Sequence, residues 1–267
     1  MTPQRYLTRD GHRLAVYGGG KVGPQIVFQH GLCGDARQIA EAMGALGDQR
    51  WQGLECRGHG ASALGDAPSI AQFASDVAAM IETLPRPVIL GGISMGAAIA
   101  SRLAVIRPDL VRGLVLLRPA WVSDPAPPNM APNAEVGALL ATHPAPHARE
   151  VLLSSETAKR LAQTAPDNLA SLLGFFDRTP HSETATLLTA ISADCPGISK
   201  ADLRALRLPT LICGTAHDAI HPLSHAQALA ALIPHSRLVE LPAKGIDKPA
   251  HLAAFAAAMT TFLKEFP

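Results

Sequence analysis

The chain has 267 residues, 48% of them hydrophobic and 17% charged, and its 23 Lys and Arg against 22 Asp and Glu leave a net charge of +1. Such a composition belongs to a globular protein that can bury a full core without staples. No block of five or six like charges is present, which removes nucleic acid and anionic membrane as natural partners and leaves a moderately apolar small molecule as the expected one. Apolar runs such as Leu252 to Met259 stop far short of the roughly 20 residues of a membrane span. The start, Met1 to Asp10, lacks a basic end followed by an apolar core, so no secretory signal is read and a cytoplasmic location is expected. Cys33, Cys56, Cys195 and Cys213 lack CxxC spacing and are expected to be reduced, mostly buried thiols with no zinc site.

In chain order, an opening hairpin is predicted over Arg5 to Arg9 and Arg13 to Tyr17. Strand-length apolar runs follow at Ile26 to Gln29, Trp51 to Glu55, Val88 to Gly91, Gly113 to Leu117, Thr210 to Cys213 and Arg237 to Leu241. Between them, alanine-rich segments carry helical spacing: Ala36 to Leu46, Ile70 to Leu84, Met95 to Ile106, Ser224 to Ile233 and Pro249 to Phe266. Strands alternating with helices predict an α/β protein with a doubly wound, mostly parallel sheet. The unbroken apolar runs fit strands covered on both faces. From about Trp121 to Lys200 the rhythm stops and prolines crowd (Pro125, Pro127, Pro128, Pro132, Pro144, Pro146). Helical patterns over Ala148 to Ala165, Asn168 to Phe176 and Ser182 to Ala193 make this stretch an inserted helical cap. The division expected is a core of residues 1–120 and 201–267 with a cap of 121–200.

Gly92-Ile-Ser94-Met-Gly96 is a G-x-S-x-G pattern between a predicted strand and a predicted helix, the context in which a sharp turn presents a serine hydroxyl. The helix that follows adds N–H donors for a developing oxyanion. His30-Gly31-Leu-Cys-Gly34 follows an earlier strand, and Arg57-Gly-His-Gly60-Ala-Ser62 follows the next.

With these three segments in register, the chain resembles the α/β-hydrolase family over nearly its whole length. The resemblance implies an eight-stranded sheet, a cap inserted after the sixth strand, Ser94 as nucleophile and the N–H groups of Leu32 and Met95 as oxyanion donors. It also implies the order serine, acid, histidine. Asp218, in Gly214-Thr-Ala-His-Asp218-Ala-Ile-His-Pro222, fits the acid. At the histidine the chain departs from the pattern: many relatives carry it after a glycine near the last strand, where this chain reads Gly245-Ile246. His251, at the start of the terminal helix, is the expected base, with His221 and His225 as alternatives.

The reaction expected is acyl transfer from a small ester, thioester or lactone, with no cofactor and no metal. Carbon–carbon bond hydrolysis, acyl transfer to an alcohol and perhydrolysis use the same constellation. The serine at the elbow disfavours the dehalogenase and epoxide hydrolase branches, whose elbow carries aspartate. Substrate contacts are expected from His30 and from the cap, where Trp121, Leu139, Leu140, Leu172, Leu173, Phe175 and Phe176 could wall a pocket. Two competing patterns carry less. Gly18-Gly-Gly20-Lys-Val-Gly23 matches a dinucleotide loop but is followed by Pro24 and a strand rather than a helix, and His217, His221 and His225 have a metal-like spacing broken by Pro222. Two non-enzymatic readings stay open: a ligand-binding protein that kept the hydrolase shell, and an interaction module built on the proline-rich stretch Asp124 to Pro132, provided that stretch is exposed and extended.

Overall fold

A computed structural model describes residues 1–85 and 87–266. Eight strands form one sheet in the order β1-β2-β4-β3-β5-β6-β7-β8. β1 (Arg5–Arg9) and β2 (His12–Gly19) form the antiparallel opening hairpin, and β2 continues antiparallel onto β4 (Gln49–Leu54). The remaining pairings, among β3 (Val22–Gln29), β4, β5 (Val88–Ile93), β6 (Val111–Leu117), β7 (Thr210–Thr215) and β8 (Ser236–Leu241), are parallel. β5 and β7 are buried at every residue, as their uninterrupted apolar sequences require of strands covered on both faces.

Helices cover both faces. α1 (Ala36–Gly44) and α11 (Lys248–Leu263) close one side through Ile39, Met43, Phe255, Met259 and Phe262. α2 (Ile70–Ile81), α3 (Met95–Ile106) and α10 (Leu223–Leu232), with the short α9 (Lys200–Ala205), close the other. The doubly wound sheet is borne out, with strand edges moved by a few residues. Gly18 to Gly23 falls in the β2–β3 turn and the start of β3, where no helix follows to receive a phosphate.

The insertion after β6 is helical, as expected, but richer than its sequence pattern indicates. It holds α4 (Ala131–Thr142), α5 (Ala145–Ser154), α6 (Glu156–Thr164), α7 (Pro166–Gly174) and α8 (His181–Ala193) around a small core of Val136, Leu140, Leu152, Leu161, Leu172, Phe176 and Leu188. The predicted helix Ala148 to Ala165 is two helices, broken where the Ser155 hydroxyl accepts the Ala158 N–H and starts α6 afresh. α4 is unforeseen, because Pro132 reads as a breaker while lying in the first turn of a helix, where its missing N–H costs nothing. The stretch Asp124 to Pro132 is neither fully exposed nor extended. Met130 is buried, and Asn129 Nδ2 donates to the carbonyls of Ala120 and Ile220 at 2.9 and 2.7 Å.

Candidate active site

Ser94 sits between β5 and α3 at φ 55° and ψ −111°, a conformation that a non-glycine residue holds only when its surroundings impose it. Neighbouring glycines make the turn fit. A Cβ on Gly92 would lie 2.4 Å from the Gly96 carbonyl carbon, and one on Gly96 would lie 2.4 Å from the Gln29 carbonyl oxygen. Ser94 opens into a cavity of about 610 Å³ between sheet and cap, within the range of small-molecule sites.

The loop after β3 crosses beside it: a Cβ on Gly31 would be 3.3 Å from the Ser94 Cβ. This loop is held by two fully buried histidines, His30 and His59, whose rings pack at a tilt of 43° with centroids 4.7 Å apart. His59 Nε2 accepts the Cys33 N–H at 3.0 Å, and His30 Nε2 accepts the Cys56 N–H at 3.0 Å. Their Nδ1 atoms lie 2.8 Å from the carbonyls of Arg57 and Gly31, so each ring is the neutral Nδ1–H tautomer, donating there and accepting at Nε2. Burial pushes His30 down to about 4 and His59 well below its ordinary value. Gly31 N–H donates to Gln38 Oε1 at 2.6 Å. Among the described residues, the N–H groups of Leu32 and Met95 have no such acceptor. Cys33 also lines the cavity, but burial pushes its thiol up to about 12, which keeps it protonated and a poor nucleophile.

Asp218 follows β7, its side chain only 5% exposed. Oδ2 accepts Arg118 Nε and Nη2 at 2.9 and 2.6 Å, and Oδ1 accepts Asn168 Nδ2 at 3.0 Å and the N–H groups of Ile220 and His221 at 3.2 and 2.9 Å. His221 Nδ1 lies 3.0 Å from both carboxylate oxygens. Burial opposes the charge on Asp218, but His221, Arg118 and the backbone donors outweigh it and hold the carboxyl far below its ordinary range. His221 itself is pushed down by burial and by the Arg118 cation, against the pull of Asp218. Its ring is therefore neutral at pH 7, with Nδ1–H given to the carboxylate, and it lines the same cavity as Ser94.

The structure pairs Asp218 with His221 and not with His251. His251 is buried at the start of α11, and its Nδ1 hydrogen-bonds to the Pro242 carbonyl at 2.9 Å. It is absent from the cavity wall. Ile246, in the place of the histidine of many relatives, is 76% exposed. His225 Nδ1 lies 3.2 Å from the Ala120 carbonyl and His217 is exposed, so the three evenly spaced histidines do not converge. Of the expected substrate contacts, Phe175 and Leu172 reach the cavity and His30, Trp121 and Phe176 do not. Trp121 is buried with its Nε1 donating to the Asp194 carbonyl at 3.0 Å, and Phe176 belongs to the cap core. The wall is instead rich in polar groups, including Arg118, Asn133, Asn168, Arg178 and Lys244. None of these stood out in the sequence, since each comes from a different loop or cap helix and carries no motif.

The sequence model of the family described as serine aminopeptidase S33, Hydrolase_4, matches residues 20–242. The chain is 29% identical over 231 residues, 82% of it and 86% of the relative, to a pimeloyl-[acyl-carrier protein] methyl ester esterase of Chromobacterium violaceum. Among solved structures it is similar to an enol-lactonase from Burkholderia xenovorans (TM-score 0.75, 24% identity, 97% and 99% of the two chains covered). It is also similar to a hydrolase from Pseudomonas aeruginosa (TM-score 0.74, 25% identity, 97% of each chain). A serine on a strained strand-to-helix turn, a glycine loop crossing beside it and a family match spanning most of the chain agree: this protein belongs to the Hydrolase_4 family and has the α/β-hydrolase fold.

Proposed function

We propose that the protein is a serine hydrolase that cleaves a small ester, thioester or lactone through an acyl-enzyme on Ser94, with His221 as base and Asp218 as its orienting acid. The observation that carries this reading is the Asp218–His221 pair, which opens on the same cavity as the strained serine. His221 Nε2 takes the hydroxyl proton as Ser94 Oγ attacks the carbonyl carbon. The Leu32 and Met95 N–H groups receive the oxyanion, and Asp218, already ionised, stabilises the imidazolium without taking its proton. The imidazolium then protonates the leaving alcohol or thiol. In the second half the same nitrogen activates water, which releases the acid and regenerates Ser94. Names such as methyl ester esterase and enol-lactonase among the relatives support carbonyl–oxygen cleavage as the chemistry.

His251, the base expected from the sequence, has its Nδ1 engaged by Pro242, so the test sets the two histidines against each other. Fluorophosphonate labelling and a short-chain p-nitrophenyl ester panel are measured on wild type, Ser94→Ala, Asp218→Ala, His221→Ala and His251→Ala. Ser94→Ala is expected to abolish labelling, and Ser94→Ala and His221→Ala each to lower kcat/KM by about 10³-fold or more. His251→Ala is expected to keep most of its turnover. A collapse in His251→Ala with His221→Ala active returns the base to His251. A wild type that neither labels nor turns over any ester makes the protein a binding member of the family.

A further inference from the structure

The cavity wall carries more positive charge than its own ion pairs consume. Arg37 is paired with Asp35, and Arg118 with Asp218. Asp177 lies 3.7 Å from Arg149 with a side chain 78% exposed, at the rim. Arg178, from the cap, and Lys244, from the segment after β8, remain on the same wall, with Glu183 as the one further acid there. Among the described residues Arg178 has no carboxylate within ion-pair distance, and Lys244 feels only the more distant charges of Asp167 and Glu41. Arg178 is held in place by neutral partners: it donates to the Thr184 hydroxyl at 3.0 Å and to the Gly58 carbonyl. A guanidinium has five N–H donors, and with Nη1 and Nη2 each giving one to these partners, three are left for a ligand. Its charge reaches the loop beside Ser94, where it disfavours protonation of His30 and His59. A half-buried cation without a counter-ion is costly unless something completes it.

Resting on the reading of Ser94 as an acyl-transfer nucleophile, we propose that the substrate is an ester or lactone whose acyl part carries a second, ionised carboxylate, bound by Arg178 and Lys244. A planar carboxylate matches the two-donor edge of arginine, and lysine adds a point charge. The apolar substrate expected from the sequence is thereby replaced by an anionic one, with the methylene chain against Leu172 and Phe175 and the charged end on the cations. A carboxylate fixed at that end places the reacting carbonyl by chain length, which makes the spacing measurable.

The test compares monomethyl esters of the succinate-to-pimelate series with methyl esters of monocarboxylic acids of matching length, followed by proton release. Wild type is expected to favour the best half-ester about tenfold or more in kcat/KM, since hydrogen bonds to charged groups discriminate at that level. A clear chain-length optimum is expected with it. Arg178→Met and Lys244→Met each lower that ratio, chiefly through KM, and Arg178→Lys restores part of it. Thermal melts of each variant separate lost recognition from lost folding, because Arg178 also ties the cap to Gly58. Calorimetric titration with glutarate tests the cation pair without turnover: wild type binds, and the two methionine variants bind at least several-fold more weakly. Equal or better turnover of the neutral esters, or glutarate affinity unchanged in both variants, overturns the proposal while leaving the serine hydrolase reading intact. If no ester turns over and Ser94 does not label, that reading falls and the glutarate titration still decides the anion site.

Discussion

Around Ser94 the chemistry turns on single protons. Asp218 accepts from Arg118, Asn168, His221 and two backbone N–H groups, so its carboxyl stays ionised well below the ordinary carboxylate range. Any acid limb in kcat/KM therefore belongs to the base. Burial and Arg118 hold His221 below its ordinary value, so the active neutral form persists to below about pH 6.5. A rate profile from pH 4.5 to 8 is expected to be flat near neutrality and to fall about tenfold per unit beneath the shifted value. In Arg118→Gln the cation that disfavours protonation is gone, and the limb is expected to move to higher pH; an unmoved limb would detach His221 from the rate. Ser94 and Asp218 stand out in the sequence because each sits in a local motif next to a buried strand. Which histidine meets Asp218 is not legible, because several lie within reach in sequence and only the fold brings His221 Nδ1 to 3.0 Å from the carboxylate while His251 Nδ1 bonds to the Pro242 carbonyl. Arg118, at the end of β6, meets Asp218 one hundred residues later, a pairing no local pattern encodes.

Elements tell the same story of near and far. β5 and β7 announce themselves as continuous apolar runs, and α3 begins and ends where its pattern does. The cap is blurred in the sequence because its helices are short, two of its four junctions are single residues, and all but α6 are opened by prolines. The loop after β4 is fixed by a pair whose worth can be tested. Arg57 donates to Asp76 on α2 at 2.8 and 3.0 Å, with side chains 6% and 0% exposed, and to Asp10 in the turn of the opening hairpin. Removing one partner leaves a buried charge uncompensated. Asp76→Ala is expected to lose about 3 to 5 kcal/mol in urea unfolding, and a loss under 1 kcal/mol would mean that Asp10 and water replace it. At the elbow, Gly96→Ala drives a Cβ onto the Gln29 carbonyl, and a loss of about 1 to 3 kcal/mol is expected together with reduced labelling of Ser94.

For the molecule as a whole, acidification should be felt before any carboxylate protonates. His30, His59, His221, His225 and His251 are each held below the ordinary imidazole value, burial being the first cause in every case. In the unfolded chain they bind protons below about pH 6.5, while in the folded protein they do not. The unfolded state therefore binds more protons there, and stability falls as pH drops through that window. Chemical denaturation midpoints at pH 7.5 and 5.0 should differ, with the lower value at pH 5.0; equal midpoints would require the buried rings to charge in place. The arrangement of strands carries a further consequence. Ser94 and the Asp218–His221 pair hang from β5 and β7, which are separated by β6 alone, about 10 Å apart at the ordinary strand spacing. These three ribbons lie at the interior of the sheet, so their amides should exchange with deuterium only when the entire protein opens, at the slow end of the hierarchy of local openings. The cap, resting on its own small core, is free to exchange sooner. Breathing of the roof can then admit and release ligand while the rigid sheet beneath keeps the spacing of Ser94 from the Asp218–His221 pair.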